Sequence, residues 1–274
     1  MTNVALSDLI GKQVLGVAGT YSSQDTEMDV YVCGVNILND TSLQLIFPNG
    51  HQLKPNQKVT IHLDNRTGVS EYDAELKVYR SSFKGMVGST TQNQAIVNAV
   101  EYEVYYGLSV VKSFRADGYE HPIDNRPATD LPHSPLTIAP QIDDSENDNK
   151  IGVLMTYAKQ QPHSTVMAFL SSVDDDIFFI TFPSTFKAKM LSRSNQCYFA
   201  IDSRASFTFE EAIEWNYSII KSDVYEIPKS SPVFVQIQEL FIQKNPWEMG
   251  FFSHPEVIMY HLKATKVVCP KQKG

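Results

Sequence analysis

Two apolar runs separated by a cationic turn, residues 177 to 201, constrain this chain more than any other stretch. Ile177-Phe178-Phe179-Ile180-Thr181-Phe182 and Cys197-Tyr198-Phe199-Ala200-Ile201 are rich in β-branched and aromatic side chains and read as buried strands. Pro183 ends the first run, because proline cannot donate to a central ladder. Ser184 or Thr185 then stands where a helix N-cap belongs, ahead of a short helix carrying Lys187, Lys189, Met190 and Leu191. A strand that feeds a helix start with hydroxyls and lysines suits a phosphate, since free amides, the helix dipole and an ammonium all favour an anion. Lys187 is the first candidate ligand for that phosphate, with Ser184 and Thr185 as hydroxyl donors. Lys189, two residues round the helix, is the second.

The chain has 274 residues, so two domains are the natural expectation. Its net charge of −8 is concentrated. Residues 117 to 150 carry two basic and eight acidic side chains, six of the eight excess negatives, so the flanking regions are nearly neutral. No basic face for a nucleic-acid backbone is visible. No apolar run has the length of a membrane span, and the N-terminus lacks a basic region followed by an apolar stretch. The three cysteines, Cys33, Cys197 and Cys269, are scattered; Cys33 and Cys197 fall inside apolar strand patterns. That spacing gives no zinc or redox signature and points to a reducing, cytoplasmic setting.

Residues 4 to 16 read as an entry helix with a short strand or turn. Strands follow at Val30–Val35, Leu43–Phe47 and Val59–Leu63, separated by turn residues at 39–41, 48–50 and 54–57. Asp64 to Gly68 turns again towards Tyr72 to Tyr79. Ala95 to Tyr106 has helical periodicity, or is helix then strand, and Leu108–Val111 reads as a last strand. Short strands at this spacing predict a small antiparallel barrel over residues 1 to 116. Residues 117 to 149, with five prolines and an acidic run, predict an extended linker. From 150 to 274 the pattern is strand (151–157), strand (164–170), acidic turn, strand (177–182), helix (185–191) and strand (197–201). A helical turn at 209–214, a strand at 215–222, helix or strand at 231–240 and a strand at 257–268 complete it. The fold class is therefore mainly β with a few short helices, in two β-barrel domains.

The order of motifs in the second half resembles the pyridoxamine 5'-phosphate oxidase-like, FMN-binding split barrels. Thr181 lies six residues before Lys187, Thr185 two before it and Leu191 four after, as in that family's strand, turn and Ser-x-Lys segment. Leu154-Met155-Thr156, Pro162 to Val166 and the acidic turn Val173–Asp176 match its earlier strands, while the family's Asn-Pro appears only as Asn195-Gln196. The first half is reminiscent of a degenerate PilZ-like barrel through Asp40 to Leu45 and Leu53 to Val59. Leu45 replaces the motif glycine and the paired arginines are missing; Arg66, Arg80 and Arg115 stand alone. Without arginine forks, cyclic di-guanylate binding is not expected.

The split-barrel resemblance implies FMN as cofactor, held by Lys187, Thr185, Ser184 and Lys189, with Thr181 and Thr165 near the flavin and His163 beside its ring. It implies a homodimer with the flavin between subunits, and a flavin-dependent oxidoreductase in which the cofactor carries the redox chemistry. The substrate is not legible. The alternative is a non-catalytic regulatory or ligand-binding protein, either a degenerate split barrel or a haem-binding one using His254 or His261, with the N-terminal barrel serving interactions. Trp247 reads as a packing residue.

Overall fold

The computed structural model describes residues 4–22, 27–68, 76–143, 150–203 and 217–268. Helix α1 (Leu6–Ile10) leads into β1 (Gln13–Tyr21), β2 (Met28–Asn39), β3 (Ser42–Ile46), β4 (Lys58–Asp64), β5 (Tyr79–Thr90), β6 (Gln94–Tyr106) and β7 (Ser109–Arg115). The sheet order is β3-β2-β1-β4-β5-β6-β7, and a further β3–β6 pairing closes the first six strands into a barrel. After residues 117–143 come β8 (Lys150–Thr156), β9 (His163–Met167), β10 (Leu170–Ser171), β11 (Ile177–Thr181), α2 (Phe186–Leu191), β12 (Gln196–Ser203), β13 (Tyr217–Ile227), α3 (Pro232–Lys244), α4 (Met249–Phe252) and β14 (Ile258–Val268). These strands form a half-barrel of order β10-β11-β14-β13-β12-β8-β9. The protein is mainly β, as expected.

The continuous apolar runs have a simple cause: their strands are buried on both faces. Val14 and Ala18 of β1 enter the barrel core, while Leu15 and Val17 face the half-barrel. On β8, Leu154 enters the half-barrel core while Val153 and Met155 meet Leu15, Val17, Met28, Val30 and Val32 of the barrel. On β11, Ile177 and Phe179 point to one core and Phe178 and Ile180 to another, under α3. The barrel and half-barrel are thus joined by a buried apolar layer. Polar links reinforce it: Tyr21 Oη donates to Ala158 O at 2.5 Å and accepts from Ala158 N at 2.8 Å, and Thr60 Oγ1 donates to Pro162 O at 2.6 Å. Strand β9, at the end of the second sheet, has its exposed edge covered by the barrel in this way.

Several expectations need correction. Ala95 to Tyr106 is not helical; it lies in β6, where buried positions run Ala95, Val97 and then Tyr102, Val104. The register shift between Lys84 and Gly85, whose partners are Glu101 and Ala99, leaves Val100 as an extra residue in β6 and flips that strand's inward face from odd to even residues. That phase change imitates a helical period. The strand described after the Asp64–Gly68 turn is β5, starting at Tyr79; residues 72–75 of the stretch expected there lie outside the described residues. The final strand, β7, pairs outside the closed ring. Ser231 to Leu240 resolves as helix: Ser231 Oγ accepts from Phe234 N at 3.3 Å and Pro232 opens the first turn. Trp247 is 69% exposed rather than packed. The helical turn at 209–214, Arg204, Trp215 and Cys269 lie outside the described residues, whereas Cys33 and Cys197 are buried free thiols.

Residues 117–143 are extended and run along the half-barrel. Leu131, Leu136, Ala139 and Ile142 pack on its cores, and Ser134 Oγ meets His261 Nδ1 at 2.8 Å. Among the described residues, no helix is long and apolar enough to cross a membrane.

Candidate functional site

A cavity of about 450 Å³ opens between the barrel and the half-barrel. The barrel contributes His62 of β4, Arg80, Ser81 and Ser82 of β5, Tyr105 of β6, and the β6–β7 turn at Gly107 and Leu108. The half-barrel contributes His163 to Val166 of β9 and Thr185, Phe186 and Lys187 at the start of α2. Alternation along β9 and proximity of β4 and β5 to it bring the two walls together; Ser82 Oγ lies 2.9 Å from Ser164 Oγ across the seam.

Among the described residues no aspartate or glutamate lines this cavity, yet it holds two cations. Lys187 is partly buried and makes no hydrogen bond or ion pair among the described residues. Burial, and then the charge of Arg80, push its amine down from the ordinary 10.5 to about 8. Burial also lowers Arg80, whose Nη2 donates to Gly107 O at 2.7 Å. The carboxylate whose charge reaches Arg80, Asp64, is already held by Arg66, with Nε to Oδ1 at 2.8 Å. Burial, helped by Lys84, Lys187, His121 and His62, pushes His163 down to about 3, so its ring is neutral at physiological pH. Its Nδ1 is buried without a hydrogen-bond partner.

The adjoining cavity, about 310 Å³, shares Ser82, Tyr105, His163 and Phe186 with the first. There charge is matched: Glu101 takes Lys84 Nζ at 2.6 Å and Arg115 Nη2 at 2.7 Å. His121, from the extended segment, packs its ring edge against Phe186 at 5.7 Å.

Of the residues proposed for the cofactor, Lys187, Thr185 and Thr165 line the cavity. Thr181 is buried beneath, its Oγ1 3.1 Å from Thr185 Oγ1. Ser184 and Lys189 are exposed and do not line the cavity. The helix-start argument also changes. Helix α2 has six residues, and Thr185 Oγ1 caps it by accepting from Ala188 N at 3.4 Å while donating to Phe182 O at 2.8 Å. Side-chain cations, not bare amides, therefore make the cavity electropositive. Arg80, His62, Tyr105 and Ser82 were missed, because nothing local marks them as facing Lys187; the unpaired arginine at the start of an amphipathic strand was the available signal.

His261 is fully buried, between Ser134 and Asp176, whose Oδ2 lies 3.2 Å from its Nε2. His254 packs edge-on against Phe182 at 4.8 Å. No cluster of three or more metal-ligating side chains occurs among the described residues.

No family model matches the chain, and no curated protein matches it. Solved structures do. HutZ, the heme storage protein from Vibrio cholerae, matches at 13% identity and a TM-score of 0.37, covering 44% of this chain and 86% of that one. A FAD-binding protein from Mesorhizobium loti matches at 13% identity and a TM-score of 0.33, covering 43% and 82%. A protein of unknown function from Agrobacterium tumefaciens matches at 17% identity and a TM-score of 0.37, with 44% of this chain covered; the match spans half of that protein's length. At such values these likenesses carry no argument about what this chain binds.

Proposed function

We propose that this chain binds FMN in the cleft between its barrel and half-barrel and serves as a flavin-dependent oxidoreductase of the pyridoxamine 5'-phosphate oxidase-like kind. One observation carries the reading: a partly buried lysine faces a cavity in which, among the described residues, it has no acidic partner and the lining holds no carboxylate. An unneutralised cation in such a place is a ligand-binding feature rather than a folding one. The remaining lining suits a flat ring system, with Phe186, Val166, Tyr105 and Leu108 as apolar surface and Thr165, Ser82 and Ser164 as hydroxyls. Neutral His163 can hydrogen-bond a carbonyl or ring nitrogen without adding charge. When bound, FMN supplies two-electron chemistry, accepting a hydride and passing electrons on. The protein's own part is to hold the phosphate with Lys187, to orient the ring and to keep water from one side of it.

A module that binds a phosphate-bearing ligand without catalysis would use the same cleft. Fluorescence titration of the full chain with FMN separates the two. Saturable quenching, reduced roughly tenfold or more in affinity by Lys187→Ala, supports the flavin reading. Failure to saturate removes it and leaves the binding module.

A further inference from the structure

In the resemblance on which the flavin reading rests, a second subunit closes the cleft. Here the wall opposite Lys187 comes from the same chain. Arg80 stands at the start of β5, next to β4, whose Thr60 is pinned to Pro162 just ahead of β9. Among the described residues neither Arg80 nor Lys187 has an ion-pair partner and no carboxylate lines the cavity across which they repel each other. Holding two like charges in a partly desolvated cleft is unfavourable unless a countercharge arrives. Next door, Lys84 and Arg115 do have one in Glu101, so the imbalance is confined to the Arg80–Lys187 cavity. A dianion with several acceptor oxygens matches the two cations: the guanidinium offers a planar pair of donors and the ammonium a point charge.

We infer that Arg80 of the barrel and Lys187 of α2 together seat the phosphomonoester group of a small-molecule ligand, and that the barrel thereby completes the site within a single chain. The inference takes its location from the flavin reading but does not need the ring to be a flavin. The free Thr165 hydroxyl, and the Ser82–Ser164 pair at 2.9 Å, lie in the same lining as further donors.

Calorimetry on the full chain with three probes tests this: FMN, riboflavin and inorganic phosphate. FMN should bind much more tightly than riboflavin, and inorganic phosphate should compete with it. Arg80→Ala and Lys187→Ala should each weaken FMN by roughly 10- to 100-fold while leaving riboflavin within about twofold, and Arg80→Lys should recover part of the loss. Because Arg80 also ties down Gly107, the ligand-free melting temperature of each variant is the folding control. Should neither flavin bind, the two-cation seat still predicts that inorganic phosphate raises the melting temperature of the parent chain and not of either alanine variant. That outcome would reject the flavin and keep the seat. Equal phosphate responses in parent and Arg80→Ala chains would overturn the seat itself. Sedimentation of the ligand-saturated protein should give the mass of one chain with one ligand. A dimer that loses ligand on dilution would overturn closure within the chain.

Discussion

Lys187 ties function to stability in a way that a single substitution can expose. Burial and Arg80 lower its amine from 10.5 to about 8, so between those values the unfolded chain binds more protons than the folded one. Stability must therefore rise with pH across that window. The cost of the buried cation is present in full below about pH 8 and fades as pH approaches about 10.5. A shift of this size corresponds to a ceiling of about 3 kcal/mol, and residual solvent contact brings it to roughly 1–2 kcal/mol. Lys187→Met removes the charge and keeps the stem's apolar packing. We expect the ligand-free variant to be more stable than the parent near pH 7 by about 1–2 kcal/mol, with the two curves converging towards pH 10. Urea unfolding at a series of pH values reads this directly. The same variant should lose phosphate affinity, because stability and binding make opposite demands on this position. In the parent, affinity should be highest between the second phosphate ionisation, about pH 6, and the amine at about 8, and should fall roughly tenfold for each pH step beyond. A variant less stable than the parent at neutral pH, or an affinity flat to pH 9.5, refutes the reasoning.

Three other perturbations probe the frame around the cleft. Asp64 is buried; burial alone would raise its carboxyl, but the hydrogen bonds and charge of Arg66, with the His62 ring 3.8 Å away, outweigh this and hold it well below the usual range. Its contribution is present above about pH 4 and lost as pH falls, so Asp64→Asn should cost roughly 3 kcal/mol at pH 7 and flatten the acid limb of a urea-midpoint profile. A Cβ at Gly152 would lie 2.6 Å from Phe169 Cδ1 and Phe199 Cζ, so Gly152→Ala should lower stability by about 1–3 kcal/mol in thermal denaturation without changing phosphate affinity. Ser134→Ala removes the hydroxyl on His261 Nδ1, and limited proteolysis within residues 117–143 should quicken several-fold.

The half-barrel was the more legible part because its signals are local. Pro183, the Thr185 cap and the apolar runs on either side of Lys187 define β11, α2 and β12 without help from elsewhere. In the barrel, β6 misled because a bulge at Val100 shifted its inward face mid-strand, something only a partner strand reveals. Half of the candidate site was legible for the same reason. Lys187, Thr185 and Thr165 sit near one another in the half-barrel, whereas Arg80 meets them only because β5 is carried across by the interface of two sheets. That interface was hidden in plain composition. Leu15, Val17, Val30 and Val32 look like core residues of a barrel, and they are core, but of the layer shared with Val153, Met155 and Ala200.

That shared layer explains how two repelling cations can be held ready for a ligand. The Tyr21–Tyr157 stack at 5.8 Å, the Tyr21 bridge to Ala158 and the Thr60 bond to Pro162 fix the barrel against the half-barrel beside the cleft. Binding then needs little reorganisation, which favours affinity. The converse follows from linkage. A ligand gripped from both sides binds only the docked arrangement, so it must stabilise docking, by about 2.7 kcal/mol at a hundred times its dissociation constant. Tyr21→Phe, which strips Ala158 of its buried partner, should cost about 1–3 kcal/mol and loosen the seam first. In that variant the unfolding of barrel and half-barrel should separate into two transitions by tryptophan fluorescence and circular dichroism. Saturating phosphate should merge them again, whereas phosphate sharpening only one transition would mean that the anion is held by one side alone.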